Sequence, residues 1–384
     1  MSRCFMRLLL AVLLHGVLFG HALAMSSVPD DVYPELEELL GLPRASVAPA
    51  SDRLKHLVDL VRSTPAGTSM AMKDRAKATG AFHAFAVRGN LERVVEYVYN
   101  PEIPIYVTMP SSVREQEWLS QNVGQALKTM SQAVRAGDGF FMRGQEREII
   151  TPDANTGGYY AYRQDRAMAV VPTNGGPVLV SVSCQPEPSD VGRKGCVVGK
   201  DGDWNYLYSE ETGLTKTGLG WVDSYMYNAY SVLVYVPDVA TGVVRVGSFK
   251  WLNAGWAKMN MVKQTHILNG IKRFASDFKA VLESPSLPKA SELAAKYRAL
   301  TQSNLETLRE MVSPYVAAIS QSGEGAVKSD PFKELLDSGE YLRSMSQREM
   351  VKVLLQEYLK SRIGKATMVR VSAVGDGLTV SASR

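Results

Sequence analysis

The fold of this chain is decided by residues 221–278, WVDSYMYNAYSVLVYVPDVATGVVRVGSFKWLNAGWAKMNMVKQTHILNGIKRFASDF. The segments Tyr230 to Val236 and Val243 to Trp251 are rich in β-branched and aromatic residues and are separated by a turn that ends in Gly242. This pattern predicts a β-hairpin.

The second strand of that hairpin has apolar residues on both of its faces. Side chains alternate along a strand, which separates two sets of residues: Val243, Arg245, Gly247, Phe249 and Trp251 on one face, and Val244, Val246, Ser248 and Lys250 on the other. Because neither face is wholly polar, we expect the sheet to be covered on both sides.

A long amphipathic helix is predicted after the hairpin, capped by Thr265. Its apolar face contains Ile267, Leu268, Ile271, Phe274, Phe278, Val281 and Leu282. A glycine within a helix costs about 1 kcal/mol relative to alanine, so Gly270 indicates a close contact, with the ring of Trp251 or Trp256 as the expected partner.

The predicted strands and helices on either side of this stretch indicate an α+β protein with a central antiparallel meander under the long helix. We expect a mainly helical segment over 25–138, a β-rich core with its covering helix over 139–285, and a helical extension over 286–384 that ends in a small hairpin. In the first segment, Ser112 and Glu115 have the spacing of a capping box and predict the start of a helix whose core stripe begins at Leu119.

In its order of elements, a sheet that ends in a long amphipathic helix resembles the helix-grip lipid-binding domains of the START kind. The resemblance covers about Ala81 to Glu283 and transfers no residue roles. It implies a helix-grip-like sheet and helix, with lipid or another apolar molecule as the ligand.

The N-terminus has the layout of a secretory signal peptide over residues 1–24. Arg3 and Arg7 precede an apolar run from Leu8 to Leu18, and small residues precede a cleavage site after Ala24. We therefore expect a soluble exported protein, periplasmic or secreted, that keeps no transmembrane helix after cleavage.

The predicted export affects the expected redox state of Cys184 and Cys196. These two cysteines enclose a short segment of Pro, Gly and polar residues. Oxidising compartments favour disulfides, so we predict that these two cysteines are bonded.

Several classes of function find no support in the sequence. The net charge of +4 over 384 residues is nearly balanced, which argues against nucleic-acid binding. His56, His83 and His266 lie in separate segments, so no metal site is predicted, and no cofactor motif is present. Nucleophile-elbow and phosphate-loop motifs are also absent.

Aromatic residues are dense between Trp204 and Trp256, which contains four of the five tryptophans. They could form the sheet core, since aromatic residues favour pleated surfaces, or line a ligand cleft. The candidate ligand-binding residues are Trp221, Tyr225, Tyr227, Trp251, Trp256 and His266.

The leading hypothesis is a non-enzymatic exported module that binds an apolar or aromatic-compatible ligand, or an envelope protein, at this aromatic end of the sheet. One alternative is START-like binding of a lipid or other apolar ligand. Another is an exported hydrolase without a recognisable motif, with Asp223 and His266 as candidate acid and base. The last is a structural cell-envelope component held by its C-terminal helices.

Overall fold

The computed structural model describes residues 25–154, 156–216, 220–325, 327–329, 331–374 and 377–382. The predicted signal peptide, 1–24, lies outside these residues. The described helices are α1 Tyr33–Gly41, α2 Lys55–Ser63, α3 Leu91–Val98, α4 Val123–Ala136, α5 Gln264–Leu282, α6 Ala290–Gln302, α7 Leu305–Gln321, α8 Phe332–Asp337, α9 Glu340–Ser344 and α10 Gln347–Arg362. The described strands are β1 Ser69–Arg75, β2 Ala78–Arg88, β3 Val113–Trp118, β4 Phe140–Ile150, β5 Gly158–Tyr159, β6 Ala161–Val171, β7 Val178–Cys184, β8 Arg193–Val197, β9 Tyr206–Thr212, β10 Leu214–Lys216, β11 Gly220–Val222, β12 Tyr225–Asp238, β13 Val243–Gly255, β14 Val369–Val374 and β15 Gly377–Ala382.

The main sheet is antiparallel and has eight strands in the order β1-β2-β13-β12-β7-β6-β4-β3. The predicted α+β class with a central antiparallel sheet is confirmed. The hairpin of β12 and β13 is central and pairs from Tyr225 opposite Gly255 to Asp238 opposite Val243. Strands β5, β8 and β9 form a separate three-stranded sheet, and β10 pairs with β11. The segment 25–138, expected to be mainly helical, supplies β1, β2 and β3 to the main sheet.

One face of the main sheet is covered by α1 and α2. The apolar side chains of these helices pack on alternate residues of the central strands, among them Val180, Val234 and Phe249. Trp251 is buried in the same cluster, and its indole nitrogen donates to the carbonyl of Lys73 at 2.9 Å. Residues 249 and 251 therefore belong to the core under the N-terminal helices.

The opposite face is covered by α3, α4, α5 and the C-terminal helices. The predicted apolar face of α5 is buried throughout, and Phe274 and Phe278 meet Phe85 edge to face at 5.6 and 5.9 Å between ring centroids. The helix begins one residue before Thr265, and Lys263 is its N-cap. A long helix held against an antiparallel sheet also fits the helix-grip alternative.

Among the described residues, no helix is both long and apolar enough to span a membrane.

The helix predicted from Ser112 starts later than its capping-box pattern suggests. Val113 to Trp118 form the edge strand β3, which pairs with β4, and helix α4 begins at Val123. Pairing with the long strand β4 satisfies the backbone of this segment, and that tertiary contact outweighs a four-residue local pattern. Leu119, predicted to lie on the core stripe of the helix, is 44% exposed.

Cys184 and Cys196 are free thiols, so the disulfide prediction is wrong. Cys184 ends β7 and packs with the α1 and α2 cluster, where its sulfur lies 3.5 Å from the carbonyl of Leu40. Cys196 lies in β8 of the three-stranded sheet and belongs to the cluster on the other face. Burial raises the pKa of Cys184 to about 11 and that of Cys196 to about 12, which keeps both thiols protonated near neutral pH.

The C-terminal extension is part of the same core. Helix α10 is buried from Glu349 to Lys360, although its sequence carries charges on several faces. Those charges have partners inside the protein: Glu349 pairs with Arg114 at 2.8 Å, and Lys360 pairs with Glu357 and donates to the side-chain oxygen of Asn205 at 2.8 Å. The predicted terminal hairpin is present as β14 and β15.

We predict opposite effects for two glycine-to-alanine changes. A Cβ at Gly247 would lie 2.4 Å from Val61 Cγ2 beneath helix α2, whereas a Cβ at Gly270 would meet nothing within 4 Å. Gly247→Ala should therefore destabilise the fold by about 1–3 kcal/mol through overpacking. Gly270→Ala should stabilise α5 by about 0.5–1 kcal/mol. Urea unfolding measures both, and equal effects would contradict the packing described for these faces.

Candidate functional site

A cavity of about 360 Å³ lies between the main sheet and helix α5. Its floor is formed by inward-facing residues of β3, β4, β6, β7, β12 and β13. Its walls and roof come from α5, from Leu127 of α4 and from the segment between α3 and β3. The cavity thus lies on the face opposite Trp251.

The roof of the cavity is mostly apolar. Ile271 and Phe274 of α5 contribute to it, as do Ile103, Ile105 and Met109 of the segment before β3. Gly270 also lines the cavity and is exposed, so it marks a point where the cavity reaches the surface. The expected packing of a tryptophan ring on Gly270 is wrong, because a Cβ there would meet no atom within 4 Å.

The floor is polar, and its centre is a row of side chains in four neighbouring strands. Arg166 lies opposite Ser183, Ser183 opposite Ser231, and Ser231 opposite Lys250. Neighbouring strands are about 4.8 Å apart, and residues directly opposite each other share a face. The register therefore places a guanidinium, two small hydroxyls and an ammonium along one line, with Ser248 in the adjacent row of the floor.

One end of the floor is a connected network around two carboxylates. Glu146 is fully buried and pairs with Arg166 at 2.6 Å. It also accepts from the side-chain amides of Gln116 and Gln164, each at 2.5 Å. Glu148 accepts from the hydroxyl of Tyr162 and from Gln164 at 3.3 Å. Every carboxylate of this network thus has hydrogen-bond partners within the protein.

The pKa shifts of Glu148 and Arg166, two members of this network, have different causes. Burial, reinforced by the neighbouring Glu146 carboxylate, raises the pKa of Glu148, and the hydrogen bond from Tyr162 opposes that shift. Burial disfavours the charged form of Arg166, but the adjacent Glu146 outweighs burial and raises the pKa of the guanidinium. Arg166 and Glu146 therefore form a stable buried ion pair.

Lys250 lies at the other end of the floor. Its ammonium makes no hydrogen bond or ion pair with any residue that the structure describes. Burial lowers the pKa of Lys250; the carboxylate of Glu148 opposes this shift and Arg273 adds to it. Arg273 also lines the cavity but is engaged with Asp201 at 3.0 Å.

Five of the residues predicted to bind a ligand do not line this cavity: Tyr225, Tyr227, Trp251, Trp256 and His266. Trp251 is core, and the rings of Tyr225 and Tyr227 stack at 6.0 Å between centroids near the end of the hairpin, where Trp256 is partly buried. The side chain of Trp221 lies outside the described residues. A ligand-binding role for these aromatic residues stays a prediction, while the same hairpin contributes Met226, Ala229 and Leu233 to the cavity.

His266 has a local structural role. Its side chain is exposed and its Nδ1 accepts from the backbone of Lys263 at 3.2 Å, which caps α5. Asp223, its candidate partner in a hydrolase, is also exposed. Across the part of the chain that the structure describes, no group of three His, Cys, Asp or Glu residues is placed to hold a metal ion.

Three residues of the site escaped the sequence analysis: Glu148, Arg166 and Lys250. Each occupies an inward-facing position of a strand whose other inward residues are partly apolar. The one available signal was Lys250 itself, a charged residue between Phe249 and Trp251 on a strand expected to be covered on both sides.

A second cleft, of about 510 Å³, lies between strands β3 and β4, the small sheet of β5, β8 and β9, and helices α9 and α10. Its Arg114 guanidinium is fully engaged: it lies 3.7 Å from the ring centroid of Tyr208 and pairs with Glu349, which is also buried in this cleft. The first cavity is the stronger candidate because it combines an apolar roof with a cation that no described residue pairs.

Comparison with known proteins adds little. No protein-family model matches the chain, and no curated protein matches it. Among solved structures, the human StarD13 (DLC2) lipid transfer and protein localization domain is similar, with a TM-score of 0.28 and 10% identity over 60% of this chain and 98% of that domain. A likeness at this TM-score carries no weight for the function of this chain.

We predict that removing one partner of the buried ion pair is more harmful than neutralising both. Arg166→Met leaves the Glu146 carboxylate buried without its cation and should cost about 3–5 kcal/mol of stability. The double variant Arg166→Met/Glu146→Gln should recover part of that loss, because an amide oxygen still accepts from Gln116. Urea unfolding of both single variants and the double variant tests this; a double variant that loses the sum of the two single losses would contradict it.

We also predict a pH signature for Glu148. A carboxyl whose pKa is raised on folding stabilises the folded chain below its ordinary value, and this contribution is lost as the pH rises through the raised value. The stability of Glu148→Gln relative to the wild type should therefore improve as the pH rises from about 4 to 8. Urea unfolding over this range measures the difference, with Glu306→Gln as the exposed control. A relative stability that falls with pH would refute the assignment.

Proposed function

We propose that this protein is a non-enzymatic binding protein that holds an apolar or amphipathic small molecule in the cavity between the main sheet and α5. The observation that carries the proposal is a cavity that opens to the surface at Gly270 and has an apolar roof and a polar floor. Its volume of about 360 Å³ lies within the usual range of ligand sites, about 300–1,000 Å³.

Packing supports the same proposal. Protein interiors are close-packed, so about 360 Å³ that the side chains between the sheet and α5 leave unfilled is space available to a ligand. Small side chains keep it open: Ser183, Ser231 and Ser248 occupy inward positions of the three strands in the middle of the sheet. On the opposite face of the same strands, buried valine and aromatic side chains pack under α1 and α2.

We also propose that the protein acts outside the cytoplasm. The basic residues, apolar run and small residues of 1–24 support export. A soluble carrier or receptor for an apolar molecule is a role that suits an exported protein, since such molecules need shielding from water. The C-terminal helices are less suited to holding a partner protein, because α10 is already enclosed by this chain.

We predict that filling the cavity abolishes ligand binding. The protein is purified, stripped of bound molecules by organic solvent exchange and heated with a panel of apolar and amphipathic compounds. A ligand at a hundred times its dissociation constant should add about 2.7 kcal/mol to the stability of the wild type. Ser231→Phe, which places a ring in the middle of the floor, should lose this gain.

The matched control is Ser372→Phe, the same change at an exposed position of β14, which should keep the stabilisation. Ala229→Leu fills the same cavity with a smaller side chain and replaces Ser231→Phe if that variant does not fold. The proposal fails if the wild type carries no molecule through purification and gains no stability from any compound of the panel.

A further inference from the structure

The most unusual group in the cavity is the side chain of Lys250. It lies on the cavity face of β13, while Phe249 and Trp251 on either side face the opposite core. Its neighbours in register are Ser231 on β12 and Ala81 on β2, so neither adjacent strand offers a carboxylate.

The carboxylates elsewhere on the floor are already engaged. Glu146 is held by Arg166 and two amides, and Glu148 by Tyr162 and Gln164. Glu148 acts on Lys250 through space but does not contact it. The described residues therefore provide no hydrogen-bond or ion-pair partner for the Lys250 ammonium.

The Lys250 side chain is half-buried. An ammonium that is partly withdrawn from bulk water loses hydration free energy unless a hydrogen-bonded anion or other acceptor replaces that water. Within this fold, the space next to Lys250 is the cavity, and the hydroxyls of Ser183 and Ser231 continue the same row. A small anionic group at this place would accept charge-assisted hydrogen bonds from the ammonium and further ones from the hydroxyls.

We propose that the ligand of the cavity is an amphiphile with one compact anionic group, of which a long-chain carboxylate is the simplest example, and that Lys250 binds this group while the apolar roof covers the chain. This inference rests on the proposed function and specifies the chemical class of its ligand. Lys250 serves as a specificity-determining residue: it distinguishes an acid from a neutral molecule of the same length.

The arrangement of charges also limits the anion to the Lys250 end of the floor. At the opposite end, the fully buried Glu146 would repel a second negative group, and the hydrogen-bond donors around it are already used. A neutral apolar chain can lie between the two ends, where Leu233 and the serines form the floor and Phe274 the roof.

The test compares three probes of equal chain length: dodecanoate, dodecanol and methyl dodecanoate. Their affinities for the solvent-stripped full chain are measured by calorimetry. The wild type should bind dodecanoate at least tenfold more tightly than either neutral probe, as expected for a hydrogen bond between charged groups. Lys250→Met should lose this preference while still binding the alcohol, and Lys250→Arg should keep it.

Lys272→Met is the matched control, since Lys272 is exposed on α5 and does not line the cavity; it should behave as the wild type. A second readout is the melting temperature without ligand. Lys250→Met should be at least as stable as the wild type, because it replaces an unpaired ammonium, whereas a purely structural lysine would destabilise the chain when removed.

The possible failures are distinguishable. If the wild type binds acid and alcohol equally, or if Lys250→Met keeps the preference for acid, the anionic ligand is refuted and the apolar binding function stands. If the wild type binds none of the three probes and no other apolar compound, both proposals fail. A Lys250→Met variant that unfolds would assign Lys250 to the core and overturn the inference as well.

Discussion

The pairing of β12 with β13 is the constraint on which the rest of the molecule depends. The hairpin lies in the middle of the main sheet, and both of its faces are buried, one under α1 and α2 and the other under α5 and the cavity. Side chains alternate with a period of two, so a register slip by one residue would exchange Trp251 with Lys250. The interaction that builds the core therefore also places the ammonium in the cavity.

The two faces of this sheet have different roles: one forms a packed core and the other lines the cavity. On the α1 and α2 face, buried β-branched and aromatic residues form a packed core. On the α5 face, the same strands carry serines and charged residues over one part and large apolar residues, such as Tyr235 and Val246, over another. Helix α5 is held by the apolar part and spans the polar part without filling it. The cavity is the space that remains.

Periodicity predicted the hairpin and the buried face of α5, because both depend on contacts between near neighbours in the chain. It could not predict the site, since Glu148, Arg166 and Lys250 come from three strands that only the folded register brings together. Trp251 was a candidate ligand residue because aromatic side chains suit both a core and a cleft. Cys184 and Cys196 are close in sequence, but β7 and β8 belong to different sheets.

The most direct measurement is a crystal structure of the protein with a dodecanoate brominated at its terminal carbon, in which the anomalous signal of bromine locates the chain end. We expect bromine within the cavity, under the apolar roof formed by Ile271 and Phe274, and the carboxylate within hydrogen-bond distance of Lys250 Nζ. Bromine at the surface, with the cavity holding only water, would contradict it.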